Sequence, residues 1–201
     1  MKKLTIALLA IIFSAGAAFS QPVSDNGIIP IGITLNSIMR LNITNGGNIE
    51  YVINTMDQYT NGIPNSPRYT TSFTVASSVE FEIYLSTDAN QFTGVDNEAT
   101  PLTMDLDYME YTLRYDGGGA ADDYSFTPAV GTYTPLVQGP SRIIEGLTTG
   151  TNGTSAGDIT KNIFSVLWSL GEGNNGGQTP LLGIPSDRYV VNVFLELQAH
   201  P

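Results

Sequence analysis

The chain has 201 residues, no cysteine, one histidine and a formal net charge of −11, from 8 Lys and Arg against 19 Asp and Glu. The lack of cysteine excludes a disulfide framework, a thiol nucleophile, iron–sulfur ligation and a lipoprotein anchor on an N-terminal cysteine. The acidic balance argues against nucleic acid and anionic membrane surfaces as partners, because phosphate binding is driven by clustered Lys and Arg.

The first stretch, MKKLTIALLAIIFSAGAAFSQ, has two lysines, an apolar run from Leu4 to Phe13, and small residues at Ala18 and Ser20. That order predicts a Sec signal peptide over residues 1–20, whose apolar part is too short for a membrane span. Cleavage before Gln21 would leave 6 basic and 19 acidic residues, a net charge of −13. The mature chain, 21–201, is then expected in the periplasm, on the cell surface or outside the cell. About 180 residues without crosslinks suit a single domain built on one core. No later stretch has the length of a spanning helix.

Directly after the mature start, Ile29, Ile31, Ile33 and Leu35 alternate with Pro30, Gly32 and Thr34. Alternation predicts a strand, and Pro30, which has no N–H to donate, places it at an edge or a bulge. Met39 to Ile43 continues the extended pattern up to the turn Asn45-Gly46-Gly47. Residues 48–59 fit either period, and their β-branched content points to a strand running into a loop. Phe73 and Val75 begin a short strand. Residues 78–86 form the clearest one, with Val79, Phe81, Ile83 and Leu85 on a dry face and Glu80, Glu82, Tyr84 and Ser86 on a wet face. A polar stretch from Thr87 to Thr100 follows.

Leu102, Met104, Leu106 and Tyr108 alternate, and then Tyr111, Leu113 and Tyr115 alternate on the opposite parity. Such a change near Met109 implies a bulge or a switch of sheet. Arg142 to Leu147 predicts one more short strand, and residues 148–158, rich in Gly, Thr and Ser, predict a surface loop. Near the end, IFSVLWSL (163–170) and YVVNVFLEL (189–197) are the strongest alternating runs, and they read as paired core strands. About eight short strands with turn signals between them, and no long helix, predict an all-β fold, an antiparallel β-sandwich.

Three pieces carry a resemblance: the post-signal strand IIPIGITL, the central block YTTSFTVASSVEFEIYLSTD, and the ending GIPSDRYVVNVFLEL. With them the chain resembles the pilin-like, immunoglobulin-type sandwich proteins of bacterial surfaces, in particular the spore-coat-U-like and alpha-fimbrial group. Its Asn, Thr and Tyr richness also looks like that of secreted Bacteroidota proteins. The family's Gly-Thr-Tyr before the last strand is here Ser186-Asp187-Arg188-Tyr189, and the disulfide of some members is absent. The resemblance implies a structural or adhesive subunit whose partners are other copies of itself or other surface subunits. It also implies assembly by strand donation, with Ile29, Ile31, Ile33 and Leu35 as the donor. Read from the residues alone, the same side chains form the first strand of their own domain, and that is the reading taken here.

Chemistry is sparse. His200, the penultimate residue, reads as a solvated tail group and supports no triad or zinc site. Glu80 with Glu82, and Asp105 with Asp107, are acids two apart on one strand face, which is usually a solvated face rather than a glycosidase pair. No enzyme is predicted. Asp88, Asn90, Asp96 and Glu98 fall in one oxygen-rich loop, the weak candidates for calcium, although their spacing does not match an EF-hand and a metal-free loop is the better reading. Ten tyrosines and one tryptophan leave a non-catalytic carbohydrate-binding module, with or without calcium, as the alternative function.

Overall fold

The structure is a computed structural model and describes residues 30–96, 100–148, 153–174, 177 and 179–200. The chain divides into two units, Met1–Leu35 and Asn36–Pro201. In the first, residues 30–35 form neither helix nor strand, and Ile31, Ile33 and Leu35 are 84%, 80% and 90% exposed. The strand expected over 29–35 is thus not formed at 30–35. Pro30 offers no N–H to a ladder and Gly32 no side chain to bury, so the start of the segment contributes less to pairing than Ile33 to Leu35. Ile29 and the whole signal-peptide stretch lie outside the described residues.

The second unit is all-β. Its strands are β1 (Met39–Asn45), β2 (Thr70–Ser77), β3 (Phe81–Thr87), β4 (Gln91–Gly94), β5 (Thr103–Asp105) and β6 (Met109–Tyr115). Then come β7 (Tyr124–Phe126), β8 (Thr134–Pro135), β9 (Ser141–Gly146), β10 (Gly157–Leu170), β11 (Tyr189–Val190) and β12 (Val193–Ala199). They form three open sheets, ordered β1-β2-β10-β6-β8, β12-β3-β9-β7 and β11-β4-β5. Among the described residues every ladder is antiparallel.

Alternation sets which side chains each strand buries. Phe73 and Val75 of β2, Phe164 and Val166 of β10, and Phe81 and Ile83 of β3 are fully buried. Rings join the five-stranded sheet to the four-stranded one: Phe164 meets Tyr124 at 5.1 Å and Phe81 at 6.3 Å between centroids, both edge-on. Edge-on rings at such spacings add about 0.5–1.5 kcal/mol each beyond their buried area. Beneath them Lys161 of β10 pairs with the fully buried Asp123 at 3.0 Å.

The parity change near Met109 is a switch of sheet. β5 lies in the three-stranded sheet, a 3-10 turn over Leu106–Tyr108 follows, and β6 enters the five-stranded sheet. The two strong runs at the chain's end, in contrast, are not partners. β10 lies between β2 and β6, whereas the last run breaks after Val190 and its β12 half pairs with β3 at the edge of the other sheet. Residues 56–61 form a short helix, α1 (Met56–Asn61), where a strand running into a loop is expected. Thr55 and Gln58 close a capping box at its start, and Gly62 ends it at φ 75°. Among the described residues no helix is long and apolar enough to cross a membrane.

Candidate functional site

β1 and β12 are both outermost strands, one of each large sheet, and they touch one another. Beside them opens a cleft of about 400 Å³ whose walls include Ile43, Val193 and Leu195 and whose floor includes Leu85, Leu136 and Trp168. A second cavity of about 590 Å³ adjoins it and shares Asn48, Ile49, Phe92, Met109, Val191 and Asn192. The cleft therefore reaches from an open sheet edge into the core. Its floor is fixed: the Trp168 Nε1 donates to Thr71 Oγ1 at 3.0 Å, and the Thr71 hydroxyl donates to the Gly46 carbonyl at 2.7 Å. Gly46 is required at that turn, because its φ is 65° and a Cβ there would stand 2.1 Å from the Thr70 carbonyl oxygen.

Residues 48–53 line the second cavity and join no ladder. Ile49, Tyr51 and Ile53 are half-buried on the core while Glu50 and Val52 are exposed. Tyr51 stacks on Tyr69 at 4.0 Å, and burial, first of all, pushes its hydroxyl far above the usual phenol range. Tyr111, whose ring packs beside Trp168 at 5.8 Å, is pushed up to about 12 by burial alone. These neutral phenols and apolar walls provide contact surface and no acid–base pair.

The β12 edge is largely apolar, whereas β1 also exposes Arg40, Asn42 and Thr44. Met39, Ile43, Val193 and Phe194 are exposed, and β12, with sequence VFLELQA, carries one charge and neither Lys nor Pro. Sheet edges are normally protected from further pairing by charges, prolines or bulges. Of these, β12 has one charge.

Away from the cleft, the wet face expected of β3 is partly dry. Glu82 is 6% exposed, and its carboxylate accepts from Tyr84 Oη at 2.8 Å and Arg142 Nη1 at 2.6 Å, with His200 Nδ1 at 3.0 Å. Burial raises its pKa, but the hydrogen bonds from Arg142, Tyr84 and His200 outweigh that and hold the carboxyl below the usual carboxylate range. Arg142 also reaches Glu145 Oε1 at 3.0 Å. His200 is not a loose tail group, since its backbone N–H donates to the Glu80 carbonyl at 2.9 Å. No sequence signal marked this cluster, because residues three apart on a regular strand face opposite sides, and it is the register shift between Ile83 and Tyr84 in the β3–β9 ladder that brings Arg142 and Glu145 to Glu82 together.

Of the weak calcium candidates, Asp88 and Asp96 are engaged elsewhere in the fold. Asp88 Oδ1 and Oδ2 accept from the backbone and side chain of Asn192 at 3.0 and 2.6 Å, joining the start of β12 to the end of β3. Asn90 lies in the turn after β3, the Asp96 N–H donates to Asp187 Oδ1 at 2.8 Å, and Glu98 lies outside the described residues. Among the described residues, the His and acid group close enough to share an ion is Glu82, Glu145 and His200, with neither Asp88 nor Asp96 in it. Compared with known proteins, the chain matches no family model and no curated sequence.

Proposed function

We propose that this chain is an exported structural or adhesive subunit of the bacterial surface, that its two large sheets are the halves of a pilin-like, immunoglobulin-type β-sandwich, and that it joins copies of itself by strand addition. The acceptor is the cleft beside β1 and β12. The donor is the alternating segment 29–35 of a second copy. The observation that carries this reading is the largely apolar edge of β12, with one charge and no Lys or Pro, standing over a cleft that reaches Trp168.

Three features support the pairing of donor and acceptor. The segment 29–35 has seven residues, the length of β12. Ile31, Ile33 and Leu35 are exposed, so docking them would remove apolar surface from water at roughly 25 cal/mol per Å². The acceptor also presents period two, with Val193, Leu195 and Leu197 on one side of β12, so an added strand would match main-chain hydrogen bonds and alternate side chains at once. Export is supported by the lysines, apolar run and small residues of the first twenty positions.

Size-exclusion of the mature protein, starting at Gln21, tests the proposal. Concentration-dependent oligomers that survive mild heating are expected, and Ile33→Asp is expected to give a folded monomer with an unchanged circular dichroism spectrum and a melting temperature that no longer depends on concentration. A protein that stays monomeric at every concentration contradicts the proposal.

A further inference from the structure

We infer that Glu82, Glu145 and His200 form a binding site for a divalent transition-metal ion of the zinc type. One atom from each of the three residues lies within 4.8 Å of the others. They come from three neighbouring strands of one sheet: Glu82 from β3, Glu145 from β9, and His200 from the residue after β12. The registers place them, because Glu82 stands directly opposite Glu145 on one side and opposite Gln198 on the other. The backbone bond from His200 to Glu80 holds the imidazole at that end of the sheet.

Two like charges directly opposite on neighbouring strands repel. Here one is also nearly buried, so the pair requires a cation. In this structure Arg142 supplies it: the single Nη1 stands 2.6 Å from Glu82 and 3.0 Å from Glu145. Its guanidinium therefore marks the position where positive charge is favoured between the two carboxylates. Arg142 is 44% exposed and has an open route to solvent. A divalent ion would bring twice the charge to the same place, with His200 Nδ1 as a third ligand.

The donor set selects the ion. Imidazole with two carboxylates suits zinc and its transition-metal neighbours, whereas calcium takes six to eight oxygens. None of the three ligands lines the cleft, so the inference stands or falls apart from the strand-addition proposal.

The test is titration of untagged mature protein with zinc chloride by calorimetry, repeated for His200→Ala, Glu145→Gln and Arg142→Gln. Wild type is expected to bind one ion saturably. His200→Ala and Glu145→Gln should weaken binding about tenfold or more, and Arg142→Gln should tighten it by about tenfold, because a competing positive charge a few ångströms away is removed. Because His200 is the sole histidine, a nitrogen-ligation signal from bound Cu²⁺ in electron paramagnetic resonance should disappear in His200→Ala. The inference is overturned if wild type shows no saturable binding, or if His200→Ala binds as tightly as wild type.

Discussion

Replacing Trp168 by Ala measures how deeply the cleft enters the core. Truncating a buried Trp or Phe to Ala typically costs about 3–5 kcal/mol, and the figure rises with the cavity that stays dry behind it. Trp168 is 6% exposed and lies on the floor of the cleft, so water entering from the open side should fill part of the space and place its cost near the lower end, about 3 kcal/mol. The lost hydrogen bond to Thr71 adds little, because the Thr71 hydroxyl keeps its bond to Gly46. Phe164 is the internal control. It is fully buried and ringed by Phe73, Phe81, Tyr115, Tyr124 and Phe126, so Phe164→Ala should fall at the upper end, about 5 kcal/mol. Urea unfolding followed by far-ultraviolet circular dichroism gives both values without relying on the tryptophan. If Trp168→Ala costs as much as Phe164→Ala, the cleft does not reach the tryptophan, and the acceptor site loses its floor.

Lys161→Met leaves the fully buried Asp123 without its ammonium partner and should lower stability by about 3–5 kcal/mol in the same unfolding assay. Glu82→Ala should cost about 1–2 kcal/mol by removing the shared acceptor of Tyr84 and Arg142, and a loss under 0.5 kcal/mol, as for an ordinary exposed position, would restore the wet-face reading. Burial raises the pKa of Asp116, but hydrogen bonds from Arg114 and Ser165 outweigh it and hold the carboxyl below its usual range. The ionised form is thus favoured in the folded state, so its contribution is complete above the unfolded value of about 3.9 and is lost as pH falls through the lower folded value. The stability gap between wild type and Asp116→Asn should therefore be constant from pH 7 to 5 and narrow below about 4, as read from melting temperatures across that range.

What was legible in the sequence is what period two can carry. β3, β6, β9 and the apolar half of β10 each have three or more alternating apolar residues or a β-branched pair, and the parity slip at Met109 marked a real change of sheet. β4 and β7 were missed because Gln91-Phe-Thr-Gly and Tyr124-Ser-Phe are too short to show a period. The helix at Met56 had a readable start in Thr55 and Gln58, a capping box masked by the β-branched residues before it. Partnership was not legible. The runs at 163–170 and 189–197 both alternate well, but nothing within them says that the second breaks into β11 and β12 or that β12 pairs with β3 rather than with β10, because any apolar strand offers the same ladder groups. The cleft and the Glu82 cluster depend on that pairing. β12 at an edge exposes Val193 and Phe194 and brings His200 to Glu82, and neither consequence follows from local pattern.

The central claim, that residues 29–35 of one copy dock beside β12 of another, can be tested by crosslinking in a chain that has no cysteine of its own. One preparation would carry Ile33→Cys and a second, of different mass, Val193→Cys, on the side of β12 that the donor would meet, and the two would be mixed and oxidised. The account predicts a covalent heterodimer that forms within the mixture, is blocked by excess synthetic peptide of residues 21–36, and does not form when the first cysteine is placed at Thr154 instead. A mixture that yields only random or same-variant dimers, at the rate of the Thr154→Cys control, would contradict it.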